Sequence, residues 1–361
     1  SLANGATNAD VVITQTFTSY FGTALAAGDM KSDGRMDLIA GASSGGAGYT
    51  YIFYNDGSYP SNPANADVLI TGVANNDAFG TTIKTGDFNS DGRTDVVSPA
   101  PFATSIGRAS ISYNDGTSFG TVACTTGCLA SNADAHISGL TTGLSDAMGV
   151  GDFNVDGKVD LALSGNGYST STGRVYLFYN GSIVTEDISG ADIVLTGETT
   201  NNQFGFSLIS GDFNTDGKND LAVGARSYSS SAGRVYIFYG GSIITESASG
   251  ADVTITGESP IEFGWSLAVG DFNVDGRIDL AVGAYNYSSS TGRAYIFYND
   301  GSMATTVATA DVTLTGEATG DYFGHALIAG DFNVDGRTDL AVGAYRNSSV
   351  RGRVYVYTFG N

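Results

Sequence analysis

A chain of 361 residues is long enough to bury a sizeable core, and its 51 Gly, 5 Pro, 20 Tyr, 19 Phe and single Trp suit many short strands joined by tight turns. The formal net charge of −21 argues against nucleic acid or an anionic membrane surface as partner, because phosphate binding needs clustered Lys and Arg. No apolar run approaches the ~18 residues of a bilayer span, and no stretch keeps a 3.6-residue apolar period, so almost no helix is expected.

Ser1 is not followed by a basic or apolar leader, so an export signal is expected to have been removed or to lie outside this stretch. The first strand-like segment, "ADVVIT" at 9–14, has no hairpin partner before it. Then comes a frame that repeats: "FG" at Phe21-Gly22, an acidic loop at 29–37, "DLIAGA", "GYTYIFY" and "ADVLITG". Each apolar piece is short, rich in β-branched and aromatic residues, and bounded by Gly, Asn, Asp or Ser, so each reads as a strand. The "FG" pair returns at Phe79-Gly80, Phe204-Gly205, Phe263-Gly264 and Phe323-Gly324, while the third unit has Leu144 and Ser145 instead. The acidic loops return at 87–95, 152–160, 212–220, 271–279 and 331–339, with first Asp residues 58, 65, 60, 59 and 60 positions apart.

Four strands in each of six units predict an all-β fold, a six-bladed β-propeller of four-stranded blades filling 1–361 as a single domain. The chain ends after a third strand, so residues 9–14 are expected to complete the last blade beside residues 352–359, leaving no free sheet edge. An open solenoid, the alternative, would expose both terminal units. The longest spacing contains the only cysteines, Cys124 and Cys128, in "ACTTGCLA". A local disulfide is expected in an oxidising compartment, with two free thiols as the alternative; a zinc site would need further ligands.

The acidic loops read D-x-N-x-D-G-x-x-D. Oxygens stand at positions one, three, five and nine, a turn at Gly in position six, and a backbone carbonyl at seven. The donors are Asp87, Asn89, Asp91, Arg93, Asp95; Asp152, Asn154, Asp156, Lys158, Asp160; Asp212, Asn214, Asp216, Lys218, Asp220; Asp271, Asn273, Asp275, Arg277, Asp279; and Asp331, Asn333, Asp335, Arg337, Asp339. The Arg or Lys at seven would contribute only its carbonyl. Oxygen-only donors on alternate residues around a tight turn suit Ca²⁺ better than Mg²⁺, which demands a regular octahedron. The position-twelve Glu and flanking helices of an EF-hand are missing, and a run of Asx-turns would use the same residue types. Eighteen of the 37 acidic residues are Asp at positions one, five and nine, and six divalent ions would bring the charge of −21 to −9. The first loop, Asp29, Asp33, Arg35 and Asp37, has Lys31 at position three, so five occupied sites and a weak or empty first one are expected, leaving −11.

With "FG", "DxNxDGxxD" and "GA" in register, the chain resembles the FG-GAP repeat of integrin α-subunit propellers over nearly its whole length. That resemblance implies calcium loops between the first and second strands of a blade, and a ligand met at the opposite face. Integrin propellers usually have seven blades, one more than this chain offers.

On the side opposite the loops the second-to-third strand turns carry Tyr168, Tyr228 and Tyr287 at one equivalent position, with Arg226, Tyr285, Asn286, Tyr345 and Arg346 nearby. Aromatic faces beside Ser, Asn and Arg donors suit a sugar or peptide surface, although packing between blades would use the same rings. Arg108, Arg174, Arg234, Arg293 and Arg353 open the third strands and are expected to make a repeated interblade bond. Trp265 reads as core. No nucleophile elbow, phosphate loop or His-bearing metal motif is present, and His325 is the one candidate base. The expectation is a calcium-stabilised, extracellular or surface-displayed recognition and adhesion module, part of a larger protein and not an enzyme, binding a cell-surface protein or glycan without membrane insertion. A carbohydrate-active lyase or hydrolase on the same scaffold is the alternative.

Overall fold

A computed structural model describes residues 13–14, 20–44, 46–102, 107–116, 128–139, 144–180, 183, 186–244, 246–346 and 352–359. The fold is the all-β, six-bladed β-propeller that the repeat period predicts. The chain divides into two compact units, Ser1–Ser145 with Asn180–Gly190, and Asp146–Tyr179 with Ala191–Asn361.

The first unit holds two blades. One orders Phe21–Gly28, Asp37–Ala42, Tyr49–Phe53 and Val68–Thr71 as successive antiparallel neighbours, and the other orders Lys84–Gly86, Asp95–Ala100, Arg108–Ser112 and Ala135–Ser138. In the second unit the third blade runs Leu144–Gly151, Asp160–Gly165, Arg174–Phe178, Ile193–Thr196, so its first strand forms although "FG" is missing there. The fourth blade runs Phe204–Gly211, Asp220–Ala225, Arg234–Phe238, Val253–Thr256; the fifth, Leu267–Gly270, Asp279–Ala284, Arg293–Phe297, Val312–Thr315. The sixth shows Phe323–Gly330, Asp339–Ala344 and Arg353–Tyr357 among the described residues. Every residue of Asp220–Ala225 is buried, which explains why the second strands read as unbroken apolar runs of small residues rather than as alternating ones.

The motif's two glycine pairs meet in one joint. Gly48, Gly233 and Gly292, which open the third strands, each form a parallel bridge to the "FG" Phe of the following blade, Phe79, Phe263 and Phe323. A Cβ on these glycines would lie 2.2, 2.1 and 2.0 Å from the Phe carbonyl oxygen, and all three have φ near +80°. Only glycine fits there. These Phe rings are buried, and Phe204, Phe263 and Phe323 meet their own blades' third strands edge-on, as Phe204 does Tyr236 at 5.3 Å and Phe263 does Phe297 at 5.9 Å.

Two-residue strands, unforeseen in the sequence, cover the outer edges. Cys128–Leu129 runs parallel to Val68–Thr71, Glu186–Asp187 to Ala135–Ser138, and Glu246–Ser247 to Ile193–Thr196; Thr306 bridges Thr256 in the same way. Each comes from the segment leading into the next blade's fourth strand, and occupies backbone groups that would otherwise be open for pairing.

At the N-terminus, Thr14 donates its N–H to the Ser61 carbonyl as Thr256 does to Thr305. Ile13 packs on Ala40, Ala42, Tyr51 and Phe53, as Ile255 packs with Ala284, Tyr295 and Phe297. These two residues stand where a fourth strand stands relative to the blade that follows it; residues 9–12, needed for pairing beside 352–359, lie outside the described residues. Among the described residues no helix is long and apolar enough to cross a membrane.

Candidate metal loops and an aromatic cluster

All six acidic loops share one internal scaffold. The position-one carboxylate accepts the N–H of position five at 3.0 Å and that of the position-six Gly at 2.7 to 2.9 Å. In the five loops with Asn at position three, its side-chain oxygen accepts the same position-five N–H, as Asn89 does from Asp91 at 3.0 Å. The position-five carboxylate accepts the N–H of position seven. Position nine, the first residue of the second strand, is buried: Asp95, Asp160, Asp220, Asp279 and Asp339 are 0 % exposed, and Asp37 is 2 %. One of its oxygens accepts the position-two N–H, from 2.7 Å at Asp37 and Asp220 to 3.0 Å at Asp339.

These are the Asx-turn bonds, yet they leave negative charge uncompensated. Burial, reinforced by Asp91 and Asp87, pushes Asp95 up to about 7; burial with Asp216 and Asp212 pushes Asp220 up to about 6. Asp339 leaves its buried Oδ1 with no hydrogen-bond partner. Among the described residues no three Asp, Glu, His or Cys side chains converge as a metal cluster. A cation here would therefore rest on a mixed set, with the Asn amide oxygen and the position-seven carbonyl completing what the carboxylates begin. Such a donor set fits a hard cation. Lys31 does not fill the first loop: its ammonium lies 2.6 Å from Asp56, while the Asp29 and Asp33 bonds persist. At the fourth loop Lys218 reaches the Asp216 carboxylate at 3.1 Å, a side-chain contact that the carbonyl-only reading of position seven omits.

Position four has positive φ throughout, including β-branched Val155 (+64°), Thr215 (+62°), Val274 (+63°) and Val334 (+62°). Val334 is 89 % exposed, so packing does not compensate. A β-branched residue in this region costs about 1–2 kcal/mol. Val334→Gly is expected to raise stability by about 1 kcal/mol; an unchanged or lowered urea midpoint would show that the loop carries no such strain.

At the other end of the strands, Tyr168, Tyr228 and Tyr287 open turns in which three successive residues take left-handed φ, as at Ser229 (+47°), Ser230 (+58°) and Ser231 (+65°). Carbonyls of these turns accept N–H groups of the following connector: Ser171 from Gln203, Ser231 from Glu262 and Ser290 from Tyr322, each at 2.8 Å. The three Tyr rings are not open platforms. Arg174, Arg234 and Arg293 lie over them at 3.7, 3.7 and 3.5 Å from the ring centre. The expected interblade role of these Arg residues is thus corrected in part. Their Nε atoms donate to Thr196, Thr256 and Thr315 of their own blades, because strand register places each Arg opposite that Thr. Among the described residues, ion pairs to the connector from the preceding blade are made by Arg234 to Glu198 (2.9 Å) and Arg353 to Glu317 (2.7 Å). Asn286 accepts from Ser290 Oγ at 2.9 Å within its own turn.

The remaining candidates assemble with residues that the sequence did not mark. Trp265 contacts Phe206 (4.7 Å between centroids), Tyr285 (4.2 Å) and His325 (5.1 Å), and His325 meets Tyr345 at 4.5 Å. Tyr322 stacks on Tyr285 at 5.5 Å and contacts Tyr345 at 4.9 Å. Arg226 lies over Phe206 and Trp265 and is held by Glu262 at 2.8 Å; Arg346 lies over Tyr322 and Tyr345. Burial, then Glu262, pushes Tyr285 up to about 12, and burial pushes His325 down, so its ring is neutral among aromatic neighbours. Trp265, expected in the core, is half-buried in this cluster. The Cys124–Cys128 pairing falls outside the described residues, which do not include Cys124.

A propeller whose repeats join "FG" to an acidic loop and a "GA" strand defines the class. The model of the FG-GAP repeat matches residues 21–53, 79–123, 204–238, 263–297 and 323–357, together just over half of the chain, and the chain belongs to that family. It passes over the third blade, where Leu144 and Ser145 replace the motif. Human phosphatidylinositol-glycan-specific phospholipase D is 34 % identical over 231 residues, 58 % of this chain and 27 % of that protein. Mouse integrin alpha-7 is 36 % identical over 169 residues, 44 % of this chain and 14 % of the integrin. The chain thus spans about a quarter or less of the length of these relatives. Among solved structures, the Vibrio cholerae biofilm matrix protein Bap1 aligns with a TM-score of 0.38 and 13 % identity, covering 79 % of this chain and 39 % of that one.

Proposed function

We propose that the chain is a calcium-binding recognition module of an extracellular or cell-surface protein, and that it meets a protein or glycan at the blade ends opposite the acidic loops. The observation that carries the calcium reading is the sixfold recurrence of one oxygen-rich scaffold with a buried position-nine carboxylate, its charged form disfavoured by burial and neighbouring carboxylates at Asp95, Asp220 and Asp279. Positions one, three, five and nine, with the position-seven carbonyl, would hold the ion, which supplies the positive charge that these loops lack. Millimolar extracellular calcium suits sites of ~10⁻⁴ to 10⁻³ M affinity. The aromatic cluster around Tyr345, which is 45 % exposed, supports ligand contact at the other end. A glycan array and a cell-surface pull-down with the intact chain test this, with Tyr345→Ala expected to reduce capture about tenfold, on the scale of a 1–2 kcal/mol contact. Capture insensitive to Tyr345→Ala would place the ligand elsewhere.

The phospholipase D relatives favour a second, enzymatic reading. Turnover of a uronic-acid polysaccharide or a glycosylated phosphatidylinositol by this chain, lost in His325→Ala, would replace recognition by catalysis.

A further inference from the structure

In several blades a buried residue at the end of the third strand touches two acidic loops at once. Asn114, 2 % exposed, donates its backbone N–H to Asp95 Oδ1 of its own loop at 2.8 Å and its Nδ2 to the Met30 carbonyl in the preceding blade's loop at 2.7 Å. Asn299, 0 % exposed, donates its N–H to Asp279 Oδ1 at 2.8 Å and directs Nδ2 to the Asp212 carbonyl and Thr215 Oγ1 of the preceding loop at 3.4 and 3.5 Å. Asn180 makes the corresponding contact to the second loop, with Nδ2 3.0 Å from the Asp87 carbonyl and Oδ1 accepting from Ser90 at 3.1 Å.

In the fourth blade the Asn is replaced by Gly240, and the link is kept by main chain alone. Gly240 donates to Asp220 Oδ1 at 2.8 Å, and Gly241 donates to the Phe153 carbonyl of the preceding loop, also at 2.8 Å. In the sixth blade Phe359 packs on Phe272 of the preceding loop at 5.4 Å instead, and there the position-nine Asp339 has the unpartnered Oδ1.

The bonds fall on two adjacent carbonyls, that of position two for Asn114 and Gly241 and that of position one for Asn180 and Asn299. In the second and fourth loops the carbonyl of position one is held by the next blade's Asn, while the N–H of the same peptide, on Phe88 or Phe213, is held by the loop's own position-nine carboxylate. The peptide beside the first donor is therefore fixed jointly by its own loop and by its neighbour.

We propose that Asn114 and Asn299 are positioning residues that couple neighbouring loops, so that filling one loop raises the cation affinity of the next. This rests on the calcium reading above. A cation that orders positions one and nine of one loop orders the carbonyls of positions one and two that lie between them, and these orient the Asn whose own N–H sits on the next position-nine carboxylate. Coupling of this kind is reciprocal.

Calorimetric titration of the intact chain with Ca²⁺ tests it. The expected curve is steeper than for independent sites, with a Hill coefficient above one. Asn114→Ala and Asn299→Ala, which keep the N–H on the position-nine carboxylate and remove the amide that reaches the preceding loop, should each lower the coefficient and raise the half-saturating concentration about fivefold without changing the number of ions bound. Melting in chelator separates folding from coupling: a variant that loses stability there but keeps the parent titration curve makes the Asn structural only, and overturns the proposal. Independent sites in the parent chain overturn the coupling and leave the calcium reading standing. No binding by any form overturns both.

Discussion

Stripping divalent ions from the chain is expected to lower its melting temperature by about 10 °C relative to a millimolar-calcium buffer. At a free concentration ten times Kd, each filled site that exists only in the folded state adds about 1.4 kcal/mol, and five sites add about 7 kcal/mol. For a chain of this length a kilocalorie is worth roughly one to two degrees. The five complete loops, not the one containing Lys31, should supply most of the gain. Asp216→Ala should therefore cost more of the calcium-dependent stability than Asp33→Ala, because the first loop already lacks the position-three oxygen. Superimposable melting curves with and without chelator would remove the calcium reading.

Adding one methyl group at Gly233 is expected to destabilise the fold by about 3 kcal/mol or more, among the largest effects a single small substitution has on this chain. The backbone there has φ of +79°, and a Cβ would stand 2.1 Å from the Phe263 carbonyl oxygen and 2.4 Å from its nitrogen, so two rigid main chains would have to part. Gly320→Ala provides the contrast. Its φ is +80°, but nothing lies within 4 Å of a Cβ, so only the conformational cost of about 1 kcal/mol applies. Urea denaturation of the two variants in chelator measures the difference, and equal losses would show that the Gly–Phe joint is not what holds one blade to the next.

Much of the architecture was legible because each unit repeats the same local instructions. "FG", the acidic loop, "DLAVGA" and "GRVYIFY" each have a fixed place in a blade, and even Leu144 and Ser145 do not stop the third blade's first strand from forming. The edge strands were not legible, since two-residue polar segments such as Glu246–Ser247 have no alternation to detect. The aromatic cluster was only half legible. Tyr285, Tyr345, Arg226 and Arg346 were marked by their turns, but their partners come from two other columns of the repeat: the residue after "FG" (Phe206, Trp265, His325) and the residue before it (Glu262, Tyr322). Comparing those columns between units, where the first two blades have Thr23 and Thr81 after "FG", would have revealed the departure from symmetry. The Arg–Tyr stacks were missed for another reason: residue spacing does not tell whether a guanidinium meets an acid, a carbonyl or a ring.

The parallel two-residue strands show that the unit of sequence repetition and the unit of folding are out of step. A segment cut from one "FG" to the next would carry its own four strands but leave behind the cap that its successor lends, as Glu246–Ser247 lends one to Ile193–Thr196. A single such segment, expressed alone, would present raw β-edges to its copies and tend to polymerise, so shortening or lengthening this scaffold by whole repeats calls for a cut inside the third-to-fourth strand connector rather than at the motif itself.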